Sequence, residues 1–265
     1  MVRFRNLAAV LLVIWLIVPM IPLAIWSFAQ RWNYPDILPQ RWSYETWTYA
    51  LSDGSGILHS ISLTIAIALS ATILAALVGI PAGYALGQYD FRGKRVVEIM
   101  LLAPIIVPSI ATAFGMHTVF IGLHLTNTVF GVILAHLIPT TPYMILVMSG
   151  VFAACDNEPE LQARSLGASP AQTFRHVTLP TVLPGILVGA AFTFLVSWSQ
   201  YILTLTVGGG RVVTLPLLLF QFATSGRNDI TGAISMIYIL PGILILIFTA
   251  RIVTGRGVSL PGPGR

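Results

Sequence analysis

The side chains that most often perform covalent chemistry are few in this chain, and they are scattered along it. The sequence has one cysteine, Cys155, and the histidines His59, His117, His124 and His136 are far apart from one another. An intramembrane hydrolase would need a nucleophile paired with a base, two aspartates, or a metal-binding His motif such as HExxH. None of these patterns is found in the printed sequence. We therefore expect no catalytic residues, no metal site and no internal disulfide.

A second group of polar residues could serve binding rather than catalysis, because it lies within otherwise apolar sequence. This stripe comprises Ser197, Ser199, Gln200, Tyr201 and Thr204. Polar side chains in a membrane span either line a pathway for a solute or form hydrogen bonds between helices, and both interpretations stay open here. His117 and His136 also fall within apolar stretches, and we interpret them as neutral histidines bonded to a neighbouring helix.

The composition indicates that most of the surface faces lipid. Of 265 residues, 56% are hydrophobic and only 9% are charged, whereas soluble domains carry about 25% charged residues. So few charges cannot cover a soluble protein of this size. The net charge of +5 is attributed to basic cytoplasmic loops rather than to nucleic-acid binding. We expect one membrane domain over residues 1–265.

Apolar stretches of about 20 residues or more predict the membrane spans. The six predicted spans are 7–28, 57–86, 97–121, 127–153, 180–206 and 232–254. The predicted fold class is therefore all-α, a polytopic membrane protein with six transmembrane helices. Several spans contain proline pairs, including Pro104 with Pro108, so we expect bent helices.

The distribution of basic residues predicts the orientation. With the N-terminus inside, ten of the fourteen Lys and Arg residues fall in cytoplasmic segments. The positive-inside rule therefore places both termini in the cytoplasm. Segments 29–56 and 207–231 are then outside, and the second of these contains an apolar run that predicts a short interfacial or re-entrant helix.

The polar segment 156–180 lies on the predicted cytoplasmic side, between the fourth and fifth spans. Pro159 suits the first turn of a short helix, and Gly167 permits the left-handed backbone that ends one. Ser169 and Pro170 then suit the N-cap and first residue of a second short helix. Its apolar face comprises Ala171, Phe174 and Val177. The alternative is a plain interhelical loop.

This segment resembles the cytoplasmic signature of bacterial ABC-importer permeases. The family motif is Glu-Ala-Ala, three residues, Gly, nine residues and Ile-x-Leu-Pro, and here Gly167 precedes Val177-Thr178-Leu179-Pro180 by that spacing. The Glu-Ala-Ala positions hold Leu161-Gln162-Ala163, with Glu160 one residue earlier. The stretches IPAGYALGQYDFRGKR at 80–95 and LAHLIPTTPYMIL at 134–146 are also similar to the family, and the resemblance covers residues 57–254.

The resemblance implies an importer of two permeases and two ATPases that is supplied by an extracytoplasmic solute-binding protein. It further implies that segment 156–179 is a coupling helix segment that docks on the ATPase. The coupling residues it implies are Glu160, Ala163, Arg164, Gly167, Ala168, Phe174, Val177, Leu179 and Pro180. Arg164 and Arg175 have an alternative role as charges near lipid headgroups. The sequence has no P-loop, so ATP and magnesium are expected in the partner ATPase, and this chain is expected to bind no cofactor and to be no enzyme.

The resemblance is to the spermidine/putrescine-type branch, which implies a second permease of different sequence and a prokaryotic cytoplasmic membrane. Where polyamine-type members often carry paired acids, this chain has Ser199 and Gln200, which argues against a dicationic solute at that place. A small polar solute, polyamine-like or sugar-like, is expected. The alternative function is a secondary transporter or channel that does not use ATP, which would usually show an intramembrane charge or inverted repeats.

Overall fold

The computed structural model describes residues 11–255 except 13, 16 and 34, and for residues 252–255 it describes the backbone alone. The helices are α1 (Ile21–Trp26), α2 (Glu45–Ala50), α3 (Ile57–Gln88), α4 (Lys94–Ile106), α5 (Ser109–Gly122), α6 (Val129–Ala153), α7 (Glu158–Ser165), α8 (Pro170–Thr173), α9 (Leu179–Trp198), α10 (Ile202–Gly208), α11 (Leu215–Thr224) and α12 (Asn228–Gly255). Short 3-10 turns occur at Val18–Met20 and Asp53–Ser55, and a π-turn occupies Phe174–Thr178.

Four helical stretches in the described residues are long and apolar enough to cross a membrane. They are Ile57–Gln88, Val129–Ala153, Pro170–Trp198 and Asn228–Arg251. The pair α4 and α5 forms a fifth span if it is counted as one. The all-α class of a polytopic membrane protein is confirmed. The predicted span 7–28 lies partly outside the described residues.

The pair α4 and α5 is bent by 99° where the sequence predicts one kinked span at 97–121. Val107, which separates the two helices, has an extended backbone (φ −68°, ψ 132°), and Pro108 is the N-cap of α5. The ring of a proline disfavours helical backbone in the residue before it. The prediction of a proline-dependent bend here is therefore confirmed, and the bend is sharper than a kink.

The range 180–206, which the sequence predicts as one span, is divided in the structure. The helix α9 ends at Trp198 and α10 begins at Ile202. The amide groups of Ser199 and Gln200 donate to the carbonyls of Leu195 (3.0 Å) and Ser197 (3.2 Å), which closes the last turn of α9. At its other end, α9 continues from α8 through the π-turn, so the helical stretch begins near residue 170.

The first of two compact units contains the described residues of 1–64 and 213–241. Here Ala29–Arg31 (β1) pairs with Arg41–Trp42 (β2) in an antiparallel ribbon that the all-α prediction did not include. The hydroxyl of Thr64 accepts a hydrogen bond from the Leu215 amide at 2.8 Å and so joins α11 to the start of α3. The short helix α11 was predicted as an interfacial or re-entrant helix, and its membrane depth stays a prediction.

The second unit contains the described residues of 65–212 and 242–265. Its core includes a buried cluster of Ala75, Met144, Met148, Phe152 and Val182, contributed by α3, α6 and α9. Glycines at four-residue spacing in α3, Gly79, Gly83 and Gly87, lie directly against α6. Small residues at this spacing allow helices to approach closely in membranes.

Candidate coupling segment and buried polar cluster

The segment that connects α6 with α9 begins with a capped helix, α7. The Asp156 carboxylate accepts a hydrogen bond from the Glu158 amide (3.0 Å), and Pro159 lies in the first turn. Glu158 and Glu160 lie in the first turn, and Arg164 lies in the last. Negative charges near the positive N-terminal end of the helix dipole, and a positive charge near its negative C-terminal end, stabilise a short helix.

The turn after α7 is a Schellman motif centred on Gly167. The Ala168 amide donates to the Ala163 carbonyl, and the Gly167 amide donates to the Arg164 carbonyl, both at 3.0 Å. Gly167 has φ +90°, and no neighbouring atom would lie within 4 Å of a Cβ there. Backbone conformation, rather than lack of space, therefore favours glycine at this position.

The second short helix, α8, begins with a capping box. The Ser169 hydroxyl accepts from the Gln172 amide (3.3 Å), and the Gln172 side chain accepts from the Ser169 amide (2.8 Å). The local geometry predicted for residues 156–173 is confirmed. The π-turn that follows contains Phe174 and Val177 and leads directly into α9 at Leu179, with Pro180 in its first turn.

Side-chain hydrogen bonds connect this segment to two long helices. The Thr178 hydroxyl donates to the Glu160 carboxylate (2.5 Å), which joins α7 to the residue before α9. The Asn157 amide donates to the Gln88 side chain (2.7 Å), and Gln88 donates to the Phe152 carbonyl (2.6 Å). The start of α7 is therefore connected to the end of α3 and, through Gln88, to the end of α6.

Large apolar side chains on the segment are exposed. The exposed fractions are 61% for Leu161, 89% for Leu166 and 52% for Phe174. The segment also lines a largely apolar pocket of about 350 Å³, to which Glu160, Arg164 and Phe174 contribute. A polar segment that presents three large apolar groups outward has a surface suited to burial against another protein.

A separate cluster of buried polar side chains lies where α6, α9 and α10 meet. The two ring nitrogens of His136 are 2.8 Å from the Ser197 hydroxyl and 3.0 Å from the Thr204 hydroxyl. All three residues are buried, with at most 1% of each exposed. The prediction that His136 is bonded to a neighbouring helix is confirmed. His117 differs, because no partner of its buried Nδ1 occurs among the described residues.

The polar stripe predicted at the end of the fifth span separates into two sets. Ser197 and Thr204 are buried against His136, as expected for helix-to-helix hydrogen bonds. Ser199 is exposed, and Gln200 and Tyr201 are half-buried, in the break between α9 and α10. These three residues remain the pathway candidates.

The sequence did not identify the residues that fasten the segment. Nothing local in the sequence indicates the partners of Thr178, Gln88 and Asn157, which lie 18, 64 and 69 residues away along the chain. The nine predicted coupling residues all fall between the start of α7 and the first turn of α9. In the part of the chain that the structure describes, no group of three or more His, Cys, Asp or Glu side chains could hold a metal ion.

Long apolar helices, a broken span and a capped polar segment between α6 and α9 define a polytopic membrane protein. The chain belongs to the family described as "Binding-protein-dependent transport system inner membrane component", whose model matches residues 79–256. It is therefore a multi-pass permease component of a binding-protein-dependent importer in the inner membrane.

Named relatives differ in the solute that they transport. The chain is 28% identical over 246 residues to the putrescine transport system permease protein PotI of Escherichia coli K12, covering 90% of this chain and 86% of that protein. It is 30% identical over 198 residues, 72% of each chain, to the trehalose transport system permease protein SugB of Mycobacterium tuberculosis. A solved bacterial ABC transporter that imports the acidic polysaccharide alginate has the same fold (TM-score 0.69, 19% identity, 94% of this chain and 95% of that chain).

Proposed function

We propose that this chain forms one half of the translocation pathway of an ATP-driven solute importer. A second permease of different sequence forms the other half, and a cytoplasmic ATPase dimer binds ATP and magnesium. An extracytoplasmic binding protein delivers the solute. Segment 156–179 docks on the ATPase, and both chain termini lie in the cytoplasm.

The observation that carries this proposal is the exposure of Leu161, Leu166 and Phe174 on a capped segment. Exposed apolar side chains gain roughly 25 cal/mol per Å² of apolar surface removed from water. A cleft in a partner protein would cover them, while the Schellman turn at Gly167 and the capping box at Ser169 hold the segment in one shape.

The connections of the segment support a role in transmitting motion. Displacement of α7 by an ATPase would act on α9 through Glu160 and Thr178. It would act on α3 through Asn157 and Gln88. Rigid helices joined in this way move together, as shear and hinge motions require.

The solute is proposed to be small and polar. The exposed or half-buried side chains at the break, Ser199, Gln200 and Tyr201, include neither a carboxylate nor an ammonium group, which favours a hydroxyl-bearing or otherwise weakly charged solute over a dication. One named relative transports putrescine and another transports trehalose, so similarity alone is compatible with either solute class.

The proposal is tested by affinity purification of the tagged chain from its native cells in mild detergent. We expect a co-purifying protein that contains a P-loop, with ATP hydrolysis in the same sample. Leu166→Glu should release this ATPase, because a charge would enter the apolar contact. Leu123→Glu is the matched control, since Leu123 is 59% exposed but lies in the loop predicted to be outside.

Two results would contradict the proposal. One is purification of the chain without any ATPase under conditions that keep a known importer intact. The other is equal retention of the ATPase by the wild type and by Leu166→Glu, which would exclude the apolar contact proposed for the segment.

A further inference from the structure

The hydrogen bonds around His136 have one consistent direction. The Thr204 hydroxyl also contacts the Gln200 carbonyl at 3.1 Å, and this carbonyl can only accept. The single hydroxyl proton of Thr204 is therefore used on Gln200, so Thr204 must accept from His136 Nε2–H. The other ring nitrogen of a neutral imidazole is an acceptor, and the Ser197 hydroxyl donates to it.

The resulting chain of bonds spans the break in the fifth helical stretch. It runs from Ser197 at the end of α9, through His136 of α6, to Thr204 in α10 and back to Gln200 in the break. His136 is thus bonded to both sides of the interruption, although its partners are 61 and 68 residues distant in sequence.

A buried network of this kind is costly if it is incomplete. Loss of the imidazole would leave the buried Ser197 hydroxyl without its acceptor and the buried Thr204 hydroxyl without its donor. Thr140, one turn away on α6, differs in that its hydroxyl donates to the His136 carbonyl within the same helix at 2.7 Å. The bonds that connect α6 to the break are therefore those of His136, whereas the buried hydroxyl of Thr140 bonds within α6.

We propose that His136 is a positioning residue that fixes the geometry of the break at Ser199–Tyr201. It holds the ends of α9 and α10 at a set distance, so that the polar groups between them keep one orientation. That these groups face the transported solute rests on the proposed function, whereas the fastening of the break by His136 does not.

The test is amide hydrogen exchange, followed by mass spectrometry, on the full chain in lipid nanodiscs. His136→Leu should speed exchange about tenfold in peptides covering 199–206, as expected for loss of a buried hydrogen bond. Peptides covering 158–173 should exchange at the wild-type rate. His136→Gln, whose amide can still donate towards Thr204, should restore part of the protection at 202–206.

Two matched controls separate this role from general packing. Thr140→Val also removes a buried polar group from α6, and His117→Leu also replaces a histidine in an apolar helix. Both should leave exchange at 199–206 unchanged. If His136→Leu does not fold, Ser197→Ala removes its bond to the imidazole, and Thr204→Val removes its bonds to the imidazole and to a backbone carbonyl in the break. Both variants should show the same local effect.

A second readout is the reaction of Ser199→Cys with a water-soluble maleimide, measured after Cys155→Ser has removed the native thiol. Removal of His136 should change the labelling rate at this position several-fold, because the side chain loses its fixed orientation. The proposal would be overturned if His136→Leu, Ser197→Ala and Thr204→Val all kept the wild-type exchange and labelling rates. Equal deprotection by Thr140→Val would also overturn it. If the wild-type chain purifies without an ATPase while exchange at 199–206 responds to His136→Leu as predicted, only the proposed function is contradicted.

Discussion

The carboxylate of Glu160 and the hydroxyl of Thr178 form a hydrogen bond of 2.5 Å across 18 residues of sequence. One residue lies in the first turn of α7, and the other is the last residue before α9. The bond closes the capped segment into a loop with a fixed shape. It also gives Glu160, which lies one residue before the family's Glu-Ala-Ala positions, a defined partner within its own chain.

Removal of this bond should loosen the segment without disturbing the spans. We expect Thr178→Val and Glu160→Ala each to destabilise the closed segment by about 1 kcal/mol, the usual net contribution of a hydrogen bond. Hydrogen exchange of peptides covering 158–166 measures the effect. In a double-mutant cycle the two changes should be non-additive, and fully additive effects would contradict a direct bond.

Substitutions at Gly167 should follow backbone conformation rather than side-chain size. Gly167→Asn should keep ATP hydrolysis by the purified complex near the wild-type value, because asparagine tolerates the left-handed region. Gly167→Val should reduce it, since a left-handed backbone costs about 1–2 kcal/mol for other residues. Gly210→Val is the control, because Gly210 also has positive φ (+79°) and open space but lies outside the segment. Equal losses in both valine variants would contradict the prediction.

The close approach of α3 to α6 should make Gly83 intolerant of any side chain. A Cβ there would lie 2.5 Å from the Met148 Cβ and 2.9 Å from the Ser149 backbone nitrogen. We expect Gly83→Ala to cost about 1–3 kcal/mol through overpacking, seen as a lower midpoint of thermal unfolding in detergent. Gly115→Ala should be neutral or stabilising, because α5 has open space at that position. Unchanged stability of Gly83→Ala would show that the helices are further apart.

The thiol of Cys155 should react slowly with maleimides at neutral pH. Burial raises the pKa of this thiol, and the negative charge of Glu160 raises it further. A raised pKa means less thiolate at a given pH, and the thiolate is the reactive form. The rate of maleimide labelling should therefore still rise with pH at the ordinary pKa of a thiol. Glu160→Gln should shift the midpoint of this pH–rate profile to lower pH. Thr178→Val, which removes the hydrogen bond to Glu160 without removing a charge, should not shift the midpoint.

Local features of the segment could be predicted from the sequence because their signals are local. Gly167, Ser169 and Pro170 each determine the backbone within a few residues, through the left-handed turn and the N-cap. The bend before Pro108 has the same origin. In each case the side chain that acts and the backbone that responds are neighbours in the chain.

Features that depend on distant partners could not be predicted in this way. The polar run at 197–201 interrupts the apolar sequence at the break, but it is short and flanked by apolar residues, so the sequence predicts one span over the whole range. The bonds of His136 and Glu160 appear only when the helices are packed. The solute is even harder to predict from the sequence, because proteins of this family are named for quite different solutes.

The most direct test of the account is site-specific photocrosslinking from position 166 to the ATPase. Leu166 would be replaced by benzoylphenylalanine in the assembled transporter, and the crosslinked partner identified by mass spectrometry. We predict a crosslink to the P-loop ATPase from position 166 and none from position 123. Failure to crosslink from position 166, in a sample where the ATPase is bound and active, would contradict a docking role for segment 156–179.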